Sequence, residues 1–449
     1  MNGAFIASLA EAGEPAHGPI AGAVGVAVGL VAIASTIGVL TKFIRVPYTI
    51  ALVLCGLGIA LLGWAPGGVR ITEDLVLLLF LPPLLFQAGL HLRLDLLRKA
   101  WAPVLVLALP GVVVTSLAVA AAVKPILVRE LGPDVATWSV ALLLGIVMAP
   151  TDPISVMATF RTAGVDDKLK SVVEGESLFN DGTAVALFAV LKGAVFVGAV
   201  AGIAGQGEQA GGSPAGAIDA VQVCTTFLQA VGIGAGLGLG LGLAAFWLLK
   251  HLDDHTLETA ITIALAWGSF VLAEHLHGSG VIAVVVAGLI MGNYGKVLSM
   301  SQRTRTTLTG FWDSIDFVVN SVLFLLIGIE LSDPHGVGGV GRLLDPNVLL
   351  AAGVVVAALL VARAAVVYPV CLVLKPYWPR GWRHVIWWAG LRGSLSLALI
   401  LGLPAGPIKS LFVAVAFVVV LVSLLGQGLV MPIVIRLVGA GGRDAEAET

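Results

Sequence analysis

The stretch Glu174-Gly-Glu-Ser-Leu-Phe-Asn-Asp-Gly-Thr183, read together with Ala149-Pro-Thr-Asp-Pro-Ile154, decides the fold. Both lie inside apolar runs long enough to cross a bilayer as helices. A carboxylate at membrane depth is costly and rare, so Asp181 and Asp152 read as functional groups. Pro153 removes a helical N–H beside Asp152, so that span is expected to break at its acid. The break frees carbonyl oxygens around Thr151, and oxygen ligands suit small hard cations. Ser177 lies one turn before Asp181 on the same helix face. Two carboxylates close together in a poorly solvated cavity cannot both ionise freely. A bound cation favours the ionised form, so cation and proton compete for the same oxygens. That competition gives antiport if the site faces each side of the membrane in turn. Helix capping or packing by the two acids is the competing reading.

Composition sets the class. The 449 residues are 58% hydrophobic and 12% charged, whereas a soluble domain carries about 25% charge. Charge-poor runs recur from Ile20 to Ile435, which specifies an all-α polytopic membrane protein whose partner is the lipid bilayer. The alternating ten-residue segments of a membrane barrel are missing from the sequence. A net charge of -2 gives no argument for a nucleic-acid partner. Cys55, Cys224 and Cys371 fall in apolar stretches and read as buried packing residues, not as disulfides or metal ligands. The start, Met1–His17, lacks a basic n-region and does not read as a signal peptide. No cofactor is expected.

About thirteen spans are expected, at 20–41, 47–63, 74–92, 100–123, 135–159, 168–192, 223–249, 258–275, 279–294, 307–331, 346–373, 382–402 and 410–435. Loop charges test that count. Seventeen basic residues, from Lys42 to Arg443, fall in one set of alternate loops and six in the other. The positive-inside rule then puts the N-terminus outside and the C-terminus in the cytoplasm. The Gly/Ala-rich stretch 201–217 reads as a flexible outside loop. The expected organisation is one transporter domain. Residues 1–19 are external, 20–192 form a first six-helix repeat, 193–249 a loop and linker helix, 258–435 an inverted second repeat and 436–449 a short tail. In that scheme the fifth span pairs with the twelfth, which carries Gly390-Leu-Arg-Gly393. Paired broken helices at matching places of two halves point to a transporter's central site.

Further polar residues complete the pattern. Asn180 is neutral beside Asp181, so the simplest exchange is one proton per monovalent cation with no net charge moved. Arg363 in the eleventh span needs a buried partner, and Glu176 is the candidate for a structural ion pair. Arg392 in the broken twelfth span is placed to neutralise helix ends at the crossing or to pair with an acid. Asp316 and Asn320 share a face of the tenth span, near Asp313 and Glu330, and read as the polar edge of an aqueous cavity. His251 and His255 are four apart on a loop and read as solvated. Alternate glycines from Gly232 to Gly242 lack the Lys-Ser/Thr of a phosphate loop and suit close helix packing. No filter-like Thr-Val-Gly-Tyr-Gly repeat argues for a channel, and no His-Glu-x-x-His motif or nucleophile–base set argues for an enzyme.

Taken in order, Ala149-Pro-Thr-Asp-Pro, Gly175-Glu-Ser-Leu-Phe-Asn-Asp-Gly-Thr183, Leu257-Glu-Thr259 with Ala273-Glu-His-Leu-His-Gly-Ser-Gly-Val281, Phe311-Trp with Asn320-Ser, Ile327-Gly-Ile-Glu-Leu331 and Gly390-Leu-Arg-Gly393 form a joint pattern. It resembles the monovalent cation:proton antiporter family, in the sodium/proton exchanger branch of bacterial NhaP type with the Asn-Asp motif. The resemblance implies two inverted six-helix repeats with crossed, broken helices, a core domain moving against a dimerisation domain, and a homodimer in a bacterial inner membrane. It implies that Asp181 and Asp152 bind the cation or proton, assisted by Ser177, the Thr151 backbone and Asn180, with Glu176–Arg363 structural. It implies electroneutral exchange of sodium or lithium for protons, for pH homeostasis. Many bacterial members carry an acid where Leu81-Pro-Pro-Leu-Leu-Phe-Gln-Ala-Gly89 has Gln87. Gln87 is therefore a possible selectivity position, and potassium/proton exchange is the alternative, with a passive cation channel a distant one. The short tail gives no reason to expect a soluble regulatory partner.

Overall fold

The computed structural model describes residues 19–41, 43, 48–64, 72, 74–197, 220–252, 254–299, 302–330, 339–374 and 378–440. These residues form helices and connections, with no strand among them. That follows from the solvent: a backbone in hydrocarbon must satisfy its own polar groups, and a helix does so within one segment.

The helices are α1 (Pro19–Leu40), α2 (Tyr48–Leu61), α3 (Leu81–His91, entered through a wide-turn segment Leu75–Phe80), α4 (Leu94–Leu131), α5 (Trp138–Met148), α6 (Pro153–Thr162) and α7 (Asp167–Lys192). They continue with α8 (Ala220–Leu249), α9 (His255–His275), α10 (Gly280–Ile290), α11 (Gln302–Glu330), α12 (Gly339–Leu343), α13 (Pro346–Val373), α14 (Trp382–Trp388), α15 (Ser394–Leu401), α16 (Pro407–Val422) and α17 (Leu429–Leu437). Among the described residues six helical stretches are long and apolar enough to cross a membrane unaided, including Ala100–Leu131, Pro346–Val373 and Pro407–Leu437. Each expected span contains helix, and two of them, 135–159 and 382–402, are interrupted, at 149–152 and 389–393. Several helices begin earlier than read, α4 at Leu94 and α11 at Gln302 by the most. Polar first turns, Asp95 to Lys99 and Arg303 to Arg305, hide those starts from a hydropathy reading.

Helix starts follow their caps. Thr137 accepts from the Val140 N–H before α5, Asp166 from Lys168 before α7, Ser279 from Ile282 before α10 and Asp345 from Asn347 before α13.

Two bodies emerge from the packing. The helices α1–α3 and α8–α11 pack on one another, as do α4–α7 and α12–α17. They meet where α7 touches α3, α8 and α10, and where α15 touches α11. Within the first body, a Cβ at Gly238 of α8 would lie 2.3 Å from the Ala283 carbonyl oxygen of α10, while Gly232, Gly236 and Gly240 have open space. Alternate glycines thus serve two faces, and one face packs. Cys224 corrects a reading from sequence: it is exposed on α8, not buried. On a membrane helix an apolar neighbourhood in sequence is shared by lipid-facing and interior positions alike. The stretch 201–217 and the tail 441–449 lie outside the described residues.

Candidate functional site

Two interruptions cross in the second body. The first runs from Ala149 to Asp152 between α5 and α6; the second runs from Ala389 to Gly393 between α14 and α15. Pro153 starts α6, so the chain cannot continue α5 as one helix. The breaks bond directly, the Asp152 N–H donating to the Leu391 carbonyl at 2.8 Å. Gly393 permits that approach. A Cβ there would lie 2.5 Å from the Asp152 Cβ, closer than carbon atoms can come.

Helix α7 holds the first break. Ser177 Oγ donates to the Thr151 carbonyl. Asn180 Oδ1 accepts from the Thr151 N–H at 3.3 Å, and its Nδ2 donates to Thr151 Oγ1 at 2.8 Å and to Glu176 Oε1 at 2.9 Å. Asn180 therefore ties the broken backbone to the carboxylate that faces Arg363. Arg363 Nη1 and Nη2 donate to Glu176 Oε1 and Oε2 at 3.1 and 2.9 Å, a planar two-point pair. Arg363 also donates to the Ile386 and Trp387 carbonyls at the end of α14. The pair is buried, Glu176 2% and Arg363 9% exposed.

Among the described residues Arg392 forms no ion pair. Its Nη1 donates to the carbonyls of Ala149 and Pro150, the latter at 2.8 Å. Those carbonyls lie just past Met148, at the negative end of a half-helix that stops inside the protein. The cation compensates that end.

Asp181 projects toward the same crossing. It lies in the field of Asp152 and Glu176 as like charges and of Arg392 as an opposite one. Its Oδ1 is buried and receives no hydrogen bond. Asp152, Thr151, Ser177, Asn180 and Asp181 are thus gathered at one place, with Glu176–Arg363 and Arg392 behind it. On the far side, across the boundary between the bodies, Asp316 of α11 feels Asp152 and is bonded by Asn320 Nδ2 at 2.9 Å. Gln87 lies further out. Its amide donates to Asp313 Oδ1 at 3.2 Å, and His91 Nε2 is 3.3 Å from the same oxygen. The sequence reading did not anticipate Ser423 and Gln427, which bond at the second break. The signal available was a Ser and a Gln four apart in the last apolar span.

Carboxylates aimed at crossed, interrupted helices between two packed bodies define a transporter of the antiporter fold. The sodium proton antiporter MjNhaP1 from Methanocaldococcus jannaschii has that fold, superposing with a TM-score of 0.71 at 18% identity over 93% of this chain and 99% of the other. The chain belongs to the sodium/hydrogen exchanger family: the profile described as sodium/hydrogen exchanger, transmembrane, matches residues 29–437. Among relatives, the Na(+)/H(+) antiporter ApNhaP of Aphanothece halophytica is 35% identical over 426 residues, covering 92% of this chain and 74% of that one. The Na(+)/H(+) antiporter NhaP of Pseudomonas aeruginosa is 35% identical over 428 residues, covering 89% and 93%. The protein is accordingly an integral membrane protein of a transporter family.

Proposed function

We propose that this protein exchanges sodium or lithium for protons, one for one and without net charge movement, by alternating access. One observation carries the reading: the orphaned Asp181 Oδ1 beside Asp152 at the crossing. A buried carboxylate oxygen with no donor is stabilised either by a proton or by a cation. Thr151 and Ser177 supply oxygens of the kind a small hard cation takes. Asp152 and Asp181 bind the ion or the proton, Asn180 holds Thr151 in register, and Glu176–Arg363 is structural.

The two bodies fit a core that moves against a dimerisation domain, with the ion site on the boundary. Loop charges favour an external N-terminus and a cytoplasmic C-terminus in a bacterial inner membrane. Two inverted six-helix repeats account for the matching breaks, and a homodimer is the proposed assembly. Potassium/proton exchange is the second reading. It is favoured by Gln87, a neutral group bonded to Asp313 where many bacterial members carry an acid.

The test is dissipation of a pH gradient in proteoliposomes on adding sodium, lithium or potassium, with and without a clamped membrane potential. A saturable response to sodium and lithium that ignores the potential is expected. A potassium-preferring response would move the function to potassium exchange. A non-saturating current would make the protein a channel.

A further inference from the structure

The ion-binding break and the arginine-bearing break face the same physical problem. Each exposes peptide groups at membrane depth, where water is not on hand to satisfy them. At the first break the next helix, α7, answers with Ser177 and Asn180, three residues apart on one face. At the second break the next helix answers in the same way. Ser423 Oγ accepts from the Arg392 N–H at 3.0 Å and donates to Gln427 Oε1 at 2.9 Å. The Gln427 backbone carbonyl accepts from Trp388 Nε1 at 3.0 Å. The break is therefore gripped on both sides, at Trp388 before it and at Arg392 within it. Ser423 is 2% exposed, and its hydroxyl is used once as donor and once as acceptor. Ser423 and Gln427 also fall in a wide-turn segment, Ser423–Gly428, between α16 and α17. Such single wide turns are frequent at functional sites because they re-aim side chains out of regular register.

We propose that Ser423 and Gln427 are positioning residues of the ion site, the second-repeat counterparts of Ser177 and Asn180. They act through the peptide that precedes the arginine. Ser423 fixes the Arg392 N–H; the other side of that peptide is the Leu391 carbonyl, which receives the Asp152 N–H at 2.8 Å. The Arg392 side chain then reaches back to the Ala149 and Pro150 carbonyls. A shift at Ser423 therefore reaches Asp152 by two routes, one through backbone and one through the guanidinium. Gln427 orients the Ser423 hydroxyl so that a lone pair faces the amide. This inference rests on the cation-exchange reading only for its transport arm.

The experiment compares Ser423→Ala, Ser423→Thr and Gln427→Met with wild type by two readouts. The first is transport in proteoliposomes with whichever monovalent cation drives the wild type best. The expected result is a rise of about five- to tenfold in the cation KM for Ser423→Ala and Gln427→Met with kcat changed less than twofold. Ser423→Thr, which keeps the hydroxyl, stays near wild type. Combining the two changes adds little, because they break one chain of bonds. The second readout is amide hydrogen exchange in detergent, which needs no transport. Ser423→Ala is expected to accelerate exchange at 388–393 and also at Thr151 and Asp152 in the distant break. Acceleration confined to 420–428, or an unchanged KM in an active protein, would overturn the proposal. Loss of cation response in the wild type would overturn the transport reading instead, and the exchange pattern would still decide this one.

Discussion

Glu176 and Arg363 show what a single residue contributes here. Each charge would be expensive alone at that depth, and the two-point contact with Asn180 and the α14 carbonyls makes the burial tolerable. Removing one partner leaves the other uncompensated. Glu176→Ala is expected to lower stability by about 3–5 kcal/mol. Thermal unfolding in detergent measures this, and adding Arg363→Met should recover part of the loss. Unchanged unfolding in Glu176→Ala would show that the pair is not structural. Asp181 differs, because its oxygen has no protein partner to lose. Asp181→Asn is expected to fold with wild-type elution and unfolding temperature yet to exchange no ions. Residual exchange at the wild-type rate would remove Asp181 from the site. This contrast was partly legible from residue types alone. Two acids and an arginine within apolar runs announced themselves, and Glu176 was the expected partner of Arg363, but the Asn180 and α14 contacts that complete the pair came only with the packing.

At the scale of the element, the breaks matter more than the helices. Gly393 lets α15 start against Asp152, and any side chain there must displace the ion site. Gly393→Ala is expected to abolish transport and to weaken the fold, read by proteoliposome flux and unfolding temperature together. Normal flux would mean that the crossing is looser than the 2.8 Å bond implies. The ends of elements are governed by simpler chemistry. Asp254 caps α9, accepting from the Thr256 and Leu257 amides at 2.8 and 3.3 Å. Those amides hold its carboxyl below the usual carboxylate range. A depressed acid stabilises the folded state above its unfolded value, and that contribution is lost as pH falls through the lower folded value. The first turn of α9 should therefore be better protected from hydrogen exchange in wild type than in Asp254→Ala at neutral pH. The difference should vanish below roughly pH 3–4, near and below the ordinary carboxylate range. A difference that persists there would assign the cap to something other than the ionised carboxylate. Proline and glycine marked both breaks in the sequence. The polar groups that satisfy them came from other helices, Ser177 and Asn180 for one and Ser423 and Gln427 for the other. The first pair was legible beside its acid; the second was masked by its apolar setting.

The whole molecule is two bodies meeting across the ion site. Helix α7 carries Asp181 and packs on α10 of the other body, and a Cβ at Gly182 would lie 3.7 Å from Val281 Cγ1. If the bodies shift against each other during exchange, joining them there stops it. Gly182→Cys with Val281→Cys, with the native cysteines replaced, is expected to lose flux on oxidation and regain it on reduction. Full flux in the oxidised, cross-linked protein would exclude relative motion at this boundary.

The sequence by itself determined that the chain is a helical membrane protein with breaks at Asp152 and near Arg392. Hydrocarbon admits few solutions to backbone polarity, so apolar length, charge scarcity and Pro or Gly suffice to specify them. The tertiary structure alone decided that the two breaks share a hydrogen bond, which of its two expected roles Arg392 takes, and that Arg363 holds the end of α14 as well as Glu176. It also brought Ser423 under the second break and set Gln87 against Asp313. Such partnerships depend on helix rotation and depth. Those are fixed by close packing over the whole interior, and no local stretch of sequence encodes them.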